Sequence, residues 1–145
     1  MDVTLVAPDG STPVVFGGGI QLIGRTEGAA TNLTAGMTGD PGKRIFLSGI
    51  YVTGLGATAA TSIDILLQYY ATSGASSTTF MLFRNIVVVP AGVTTAIAPV
   101  TLSFPVPLAY PIATGPGYIQ GWQGSINSFG AGNTLASIAL MGFEQ

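Results

Sequence analysis

The residues of this 145-residue chain with which chemistry could be done are few: six carboxylates, four basic side chains, five tyrosines and one tryptophan. Histidine and cysteine are both absent. Without histidine the commonest general base, the Ser–His and Cys–His nucleophile pairs and the commonest metal ligand are gone. Without cysteine, so are disulfides, thiolate nucleophiles and zinc–thiolate sites. The carboxylates are Asp2, Asp9, Glu27, Asp40, Asp64 and Glu144. A hydrolytic carboxylate pair must face a substrate from two sides about 5–10 Å apart, and an oxygen-ligated metal needs several acids close in sequence. The spacing offers no such cluster. Asp64 alone falls in a well-patterned strand, where it reads as a solvated acid on an outward face or an interface acid paired with Arg84 or a neighbour's arginine. No enzyme, cofactor or metal site is expected.

Two motifs match formally and carry little. "GLGATA" (residues 54–59) fits the dinucleotide fingerprint, but that motif works by opening a helix whose N–H groups meet the pyrophosphate, with an acid about 20 residues on. Here a second strand follows and residue 74 is glycine, so a hairpin connection is expected. "NLT" (residues 32–34) is a glycosylation sequon. Four basic residues in total make no footprint for a nucleic-acid backbone, and no nucleic-acid partner is expected. Tyr51, Tyr69, Tyr70, Tyr110, Tyr118 and Trp122 remain, as core residues, protein contacts or a shelf for a sugar.

The elements that must position these side chains are strands. Residues 45–53 ("IFLSGIYVT") are β-branched and aromatic with both faces apolar, and Gly49 marks a bulge or a close approach. Ile63, Ile65, Leu67 and Tyr69 alternate with Asp64, Leu66, Gln68 and Tyr70, the pattern of a half-buried strand. Residues 78–89 form another, with a bulge or change of partner expected near Arg84 and Asn85. Further strands are expected at residues 98–104, 118–122 and 134–143, and shorter ones at 3–6, 14–16 and 20–23. Turn signals separate them: Gly39-Asp40-Pro41-Gly42, Ser73-Gly74, Pro90-Ala91-Gly92, Gly115-Pro116-Gly117 and Gly130-Ala131-Gly132-Asn133. No helical pattern is evident.

Many short strands with this punctuation predict an all-β fold, an antiparallel two-sheet β-sandwich resembling a jelly roll of about eight strands. Residues 1–42 read as an extended N-terminal arm with one or two short strands, lying across a neighbouring copy, and residues 43–145 as the sandwich. The chain is long enough for a core without staples. Neither a stretch of about 20 apolar residues nor a basic segment followed by an apolar run occurs. No membrane partner is therefore expected, and synthesis in a host cytoplasm without a signal peptide is.

Charged residues make up 7% of the chain, against about 25% in soluble domains. Mean hydropathy is +0.58 and the net charge −2, the opposite of a disordered chain. With Ile63, Ile65, Leu67 and Tyr69 turned inward, Leu66, Gln68 and Tyr70 face outward on a sheet too apolar to stay bare. Contiguous exposed apolar area marks an interaction site, and further copies of the same chain in closed symmetry are the simplest occupant. The interface candidates are Tyr51, Leu66, Gln68, Tyr70, Arg84 and Trp122.

In texture and order of features, residues 43–145 resemble the small, charge-poor β-sandwich proteins of tailed-bacteriophage particles. The resemblance is carried by "KRIFLSGIYVTG", then "VVVPAGVTTAIAPVTLSFPVPL", then the closing "SIALMGFEQ". It implies a non-enzymatic virion structural protein, by preference a homotrimeric capsid decoration or cement protein on the capsid surface, with capsid or other virion proteins as partners. Two alternatives stand beside it. One is a receptor- or carbohydrate-binding module of a tail or fibre, with the aromatics of residues 110–133 reading a host glycan. The other is a single-jelly-roll shell protein, against which the lack of a basic arm for the genome weighs.

Overall fold

The computed structural model of the chain describes residues 20–73, 76–109 and 118–145. Eight strands cover most of them: β1 (Ile20–Gly28), β2 (Leu33–Thr38), β3 (Ile45–Gly54), β4 (Thr61–Ser73), β5 (Ser76–Val89), β6 (Val100–Ala109), β7 (Tyr118–Ile126) and β8 (Ala136–Glu144). They form two four-stranded antiparallel sheets in the orders β1-β8-β3-β6 and β2-β7-β4-β5. This is the strand order of a jelly roll, and no helix occurs among the described residues. The all-β sandwich expected from composition and punctuation is present.

The two sheets are joined by an apolar layer drawn from alternate positions. Leu33, Ala35 and Met37 of β2, Ile63, Ile65, Leu67 and Tyr69 of β4, and Ile138 and Leu140 of β8 are buried. Each large aliphatic side chain so buried contributes roughly 1.5–3 kcal/mol. At one edge the sheets come together closely. A Cβ on Gly24 of β1 would run into the Gly36 carbonyl of β2, so only glycine allows that approach. At the opposite edge they stay further open: Phe83 and Val87 of β5, and Val100, Leu102, Phe104 and Leu108 of β6, are only partly buried against the core.

Two strands carry bulges. In β3 the register shifts between Leu47 and Gly49, which lets Leu47 and Ile50 both point inward. Gly49 is needed there, because a Cβ would sit 2.9 Å from the Leu102 carbonyl oxygen. In β5 the pairing steps from Leu67↔Phe83 to Gln68↔Met81. The extra residue is thus Leu82, two positions before the Arg84–Asn85 site expected from the pattern. The Asp40–Lys43 turn has Pro41 second and Gly42 third at φ 80°, closed by the Lys43 N–H to the Asp40 carbonyl at 3.1 Å. That is the type II geometry Pro-Gly selects.

The division at residue 42 is not a division of the fold. Residues 20–38, read as part of an arm, supply β1 and β2, each an edge strand of one sheet. Within the described residues the sandwich therefore includes Ile20–Thr38 as well. The remainder of the expected arm, including the strands at 3–6 and 14–16, lies outside the described residues, as does the turn at 115–117.

Candidate functional site

Among the described residues, the acids and bases stand in separate pairs or alone. Asp64 on β4 and Arg84 on β5 are diagonal neighbours on the outer face of their sheet. Arg84 Nε donates to Asp64 Oδ1 at 3.1 Å and Nη2 donates to Oδ2 at 2.8 Å. These hydrogen bonds, with the carboxylate's charge behind them, hold the exposed guanidinium above its ordinary pKa. On the outer face of the other sheet Arg25 Nη2 pairs with Glu27 Oε1. Glu144 lies apart, buried, accepting the Asp40 N–H at 2.8 Å. No group of three or more metal-ligating acids forms among the described residues. "GLGATA" opens no helix: Leu55 bridges to Ala96 and Ala57 to Ala91.

What the fold assembles instead is two broad, nearly charge-free outer faces. On the β2-β7-β4-β5 sheet the outward rows run Thr38–Gly121–Tyr70, Gly36–Gln123–Gln68–Met81 and Thr34–Ser125–Leu66–Arg84, then Asp64–Ile86 and Ser62–Val88. Leu66, Gln68 and Tyr70 are half-buried on this face and Arg84 is exposed, so four of the six interface candidates meet there. Tyr70 lies across Gly121, where any Cβ would strike its ring, and its hydroxyl bonds Thr38 Oγ1. At the β5 margin Met81, Ile86 and Val88 are 62%, 61% and 67% exposed.

The β1-β8-β3-β6 face has a different relief. Arg25, Ala139 and Tyr51 form one row, Glu27, Ser137 and Thr53 the next. Small Ser137 and Ala139 floor a shallow groove of about 390 Å³, walled by Ile23, Arg25 and Met141 on one side and Tyr51 and Thr53 on the other. Tyr51 is therefore on the opposite face from the other candidates. Ile23 stands 65% exposed at the groove's rim, and Phe46 stacks on Phe143 at 4.8 Å nearby.

Trp122 corrects the reading that placed it at an interface. It is 1% exposed, edge-on to Tyr69 at 5.4 Å, and its indole N–H donates to the Ile45 carbonyl at 3.2 Å across the sandwich. A residue so enclosed touches neither partner nor glycan. Gly121 and Gly124 interrupt the alternation of β7, which is why its inward side was not legible. Residues missed by the same reading are Ile23, Arg25 and Met141 of the groove and Met81, Ile86 and Val88 of β5. The last two stood in the sequence as one side of an apolar strand, with nothing to say which side faced out.

Among the described residues each outer face carries one cation and one anion, Arg84 with Asp64 and Arg25 with Glu27, already matched within the chain. A scan of the chain against protein-family models finds no match, and a search of the curated proteins finds no relative.

Proposed function

We propose that this protein is a non-enzymatic virion structural protein, a capsid-associated decoration or cement component that works by covering apolar sheet surface with protein. The observation that carries this reading is the outer face at β5. Three apolar side chains more than 60% exposed stand there around a single arginine that its own Asp64 neutralises. Isolated apolar side chains are ordinary on a surface, but contiguous rows of them mark a docking site. The occupants are copies of the same chain and the shell beneath them. The resemblance of residues 43–145 to charge-poor phage β-sandwiches supports the location on a particle. Loss of Trp122 to the core removes the main support for glycan reading.

Light scattering on the purified chain, followed by cosedimentation with capsids stripped of it, tests the proposal. An oligomer at micromolar concentration that rebinds shells and raises their resistance to heat is the expected result. A soluble monomer that leaves capsids unbound and unprotected would refute it.

A further inference from the structure

Among the described residues the two sheets have four edges, and three of them carry devices that discourage a further strand. β2 spans only Leu33–Thr38 and contains Gly36; β1 carries the charges of Arg25 and Glu27; β6 carries Pro105 and Pro107. Short edge strands, charge and proline are the usual protections against edge-to-edge pairing. β5 is the exception, running Ser76–Val89 with no proline, glycine or acid and only Arg84 charged. Its sole irregularity is the bulge at Leu82, beyond which residues 83–89 continue regularly to Pro90. The Ile86 N–H is taken up by its neighbour's Asn85 Oδ1 at 2.9 Å and so does not serve the β4 ladder. By antiparallel alternation, residues 84, 86 and 88 turn their N–H and C=O groups to the open edge.

We infer that β5 pairs antiparallel with β5 of a second copy across a two-fold axis at Ile86, joining two β2-β7-β4-β5 sheets into one. This rests on the self-association proposed above and gives it a register. Ile86 is the midpoint of residues 83–89, so the axis there aligns the whole regular stretch. It sets Ile86 against its own mate, Arg84 against Val88, Asn85 against Val87 and Phe83 against Val89. Inward residues meet inward and outward meet outward, as a continuous sheet requires. An axis at Arg84 would oppose two guanidinium groups; the axis at Ile86 opposes no like charges. The Asn85 amide, which occupies the Ile86 N–H in the single copy, exchanges that bond for the partner's carbonyl. The arrangement gives an even number of copies and replaces the threefold expectation.

A chain without cysteine makes the register directly testable. Directly opposed residues in a hydrogen-bonded antiparallel pair have Cα atoms about 5.5 Å apart, within disulfide reach. Ile86→Cys under mild oxidation is expected to give a covalent dimer as the main species, and Ile23→Cys, equally exposed on β1, is not. Val88→Lys faces Arg84 of the other copy twice per dimer and is expected to raise the dimer Kd about tenfold, whereas Val88→Glu leaves it unchanged or lowers it. An oligomer that shows no Ile86→Cys cross-link, that weakens equally with either charge, or that holds three copies would overturn the β5 pairing while leaving the proposed function standing. A monomer at micromolar concentration would overturn both.

Discussion

Trp122 and Asn133 show how much of the molecule's stability rests on single polar contacts inside an apolar frame. Trp122 combines a large buried surface with one hydrogen bond, to the Ile45 carbonyl of the facing sheet. Trp122→Ala is expected to cost about 3–5 kcal/mol, and Trp122→Phe about 1–3 kcal/mol because it gives up that hydrogen bond and part of the buried surface. Urea unfolding followed by circular dichroism measures both. Asn133 is buried, and its Nδ2 donates to the Leu55 carbonyl at 2.6 Å and the Leu135 carbonyl at 3.0 Å, with the Gly56 carbonyl at 3.3 Å. It ties the connection after β7 to the end of β3. Asn133→Asp would aim a carboxylate at those carbonyls and is expected to destabilise more than Asn133→Ala at neutral pH. The sign with pH follows: repulsion raises the folded-state pKa of the new acid, so the deficit shrinks as pH falls and the protonated form regains a donor. A variant whose stability falls on mild acidification, relative to the native chain, would contradict this account.

At the scale of the strands, legibility followed the contrast between alternate positions. β4 was readable because Ile63, Ile65, Leu67 and Tyr69 alternate with more polar neighbours, and all four are buried. The Gly49 bulge was readable because a glycine interrupts an otherwise continuous apolar run. β2 was not, although it alternates fully: its inward residues are Leu33, Ala35 and Met37, separated by Thr34, Gly36 and Thr38, and small side chains leave too little contrast. Of β1 only residues 20–23 were legible as a strand, because Gly24 and Gly28 resemble loop residues and hide its second half. Gly24 in fact permits a close approach between the sheets, beside the Gly36 carbonyl. Gly24→Val would force β1 and β2 apart there, and a loss of about 1–3 kcal/mol with a fall of several degrees in Tm is the expected outcome in calorimetry. Gly36→Val is the matched comparison. A Cβ at Gly36 meets nothing within 4 Å, so a similar loss there would show that strand propensity, not the approach of the backbones, governs this corner.

For the molecule as a whole, the paucity of charge that first suggested association now has a spatial form. Among the described residues, two cations and two anions on the outer faces are matched within the chain, and no histidine is present to titrate near neutrality. The association proposed above would draw its free energy from apolar burial and from backbone bonds at β5, neither of which is weakened by salt. An interface held by charge loses affinity steeply as the screening length shortens from about 10 Å at 0.1 M salt to about 3 Å at 1 M. This one is expected to hold or tighten over that range, and to show the negative heat-capacity change of apolar burial. Its strength is also expected to stay level between pH 6 and pH 8, since the chain holds no histidine or cysteine side chain to titrate there. Sedimentation equilibrium at several salt concentrations, with calorimetric dilution at several temperatures, measures each quantity. Dissociation on raising salt to 1 M would mean that ion pairs across the interface, not the dry faces of these sheets, hold the copies together.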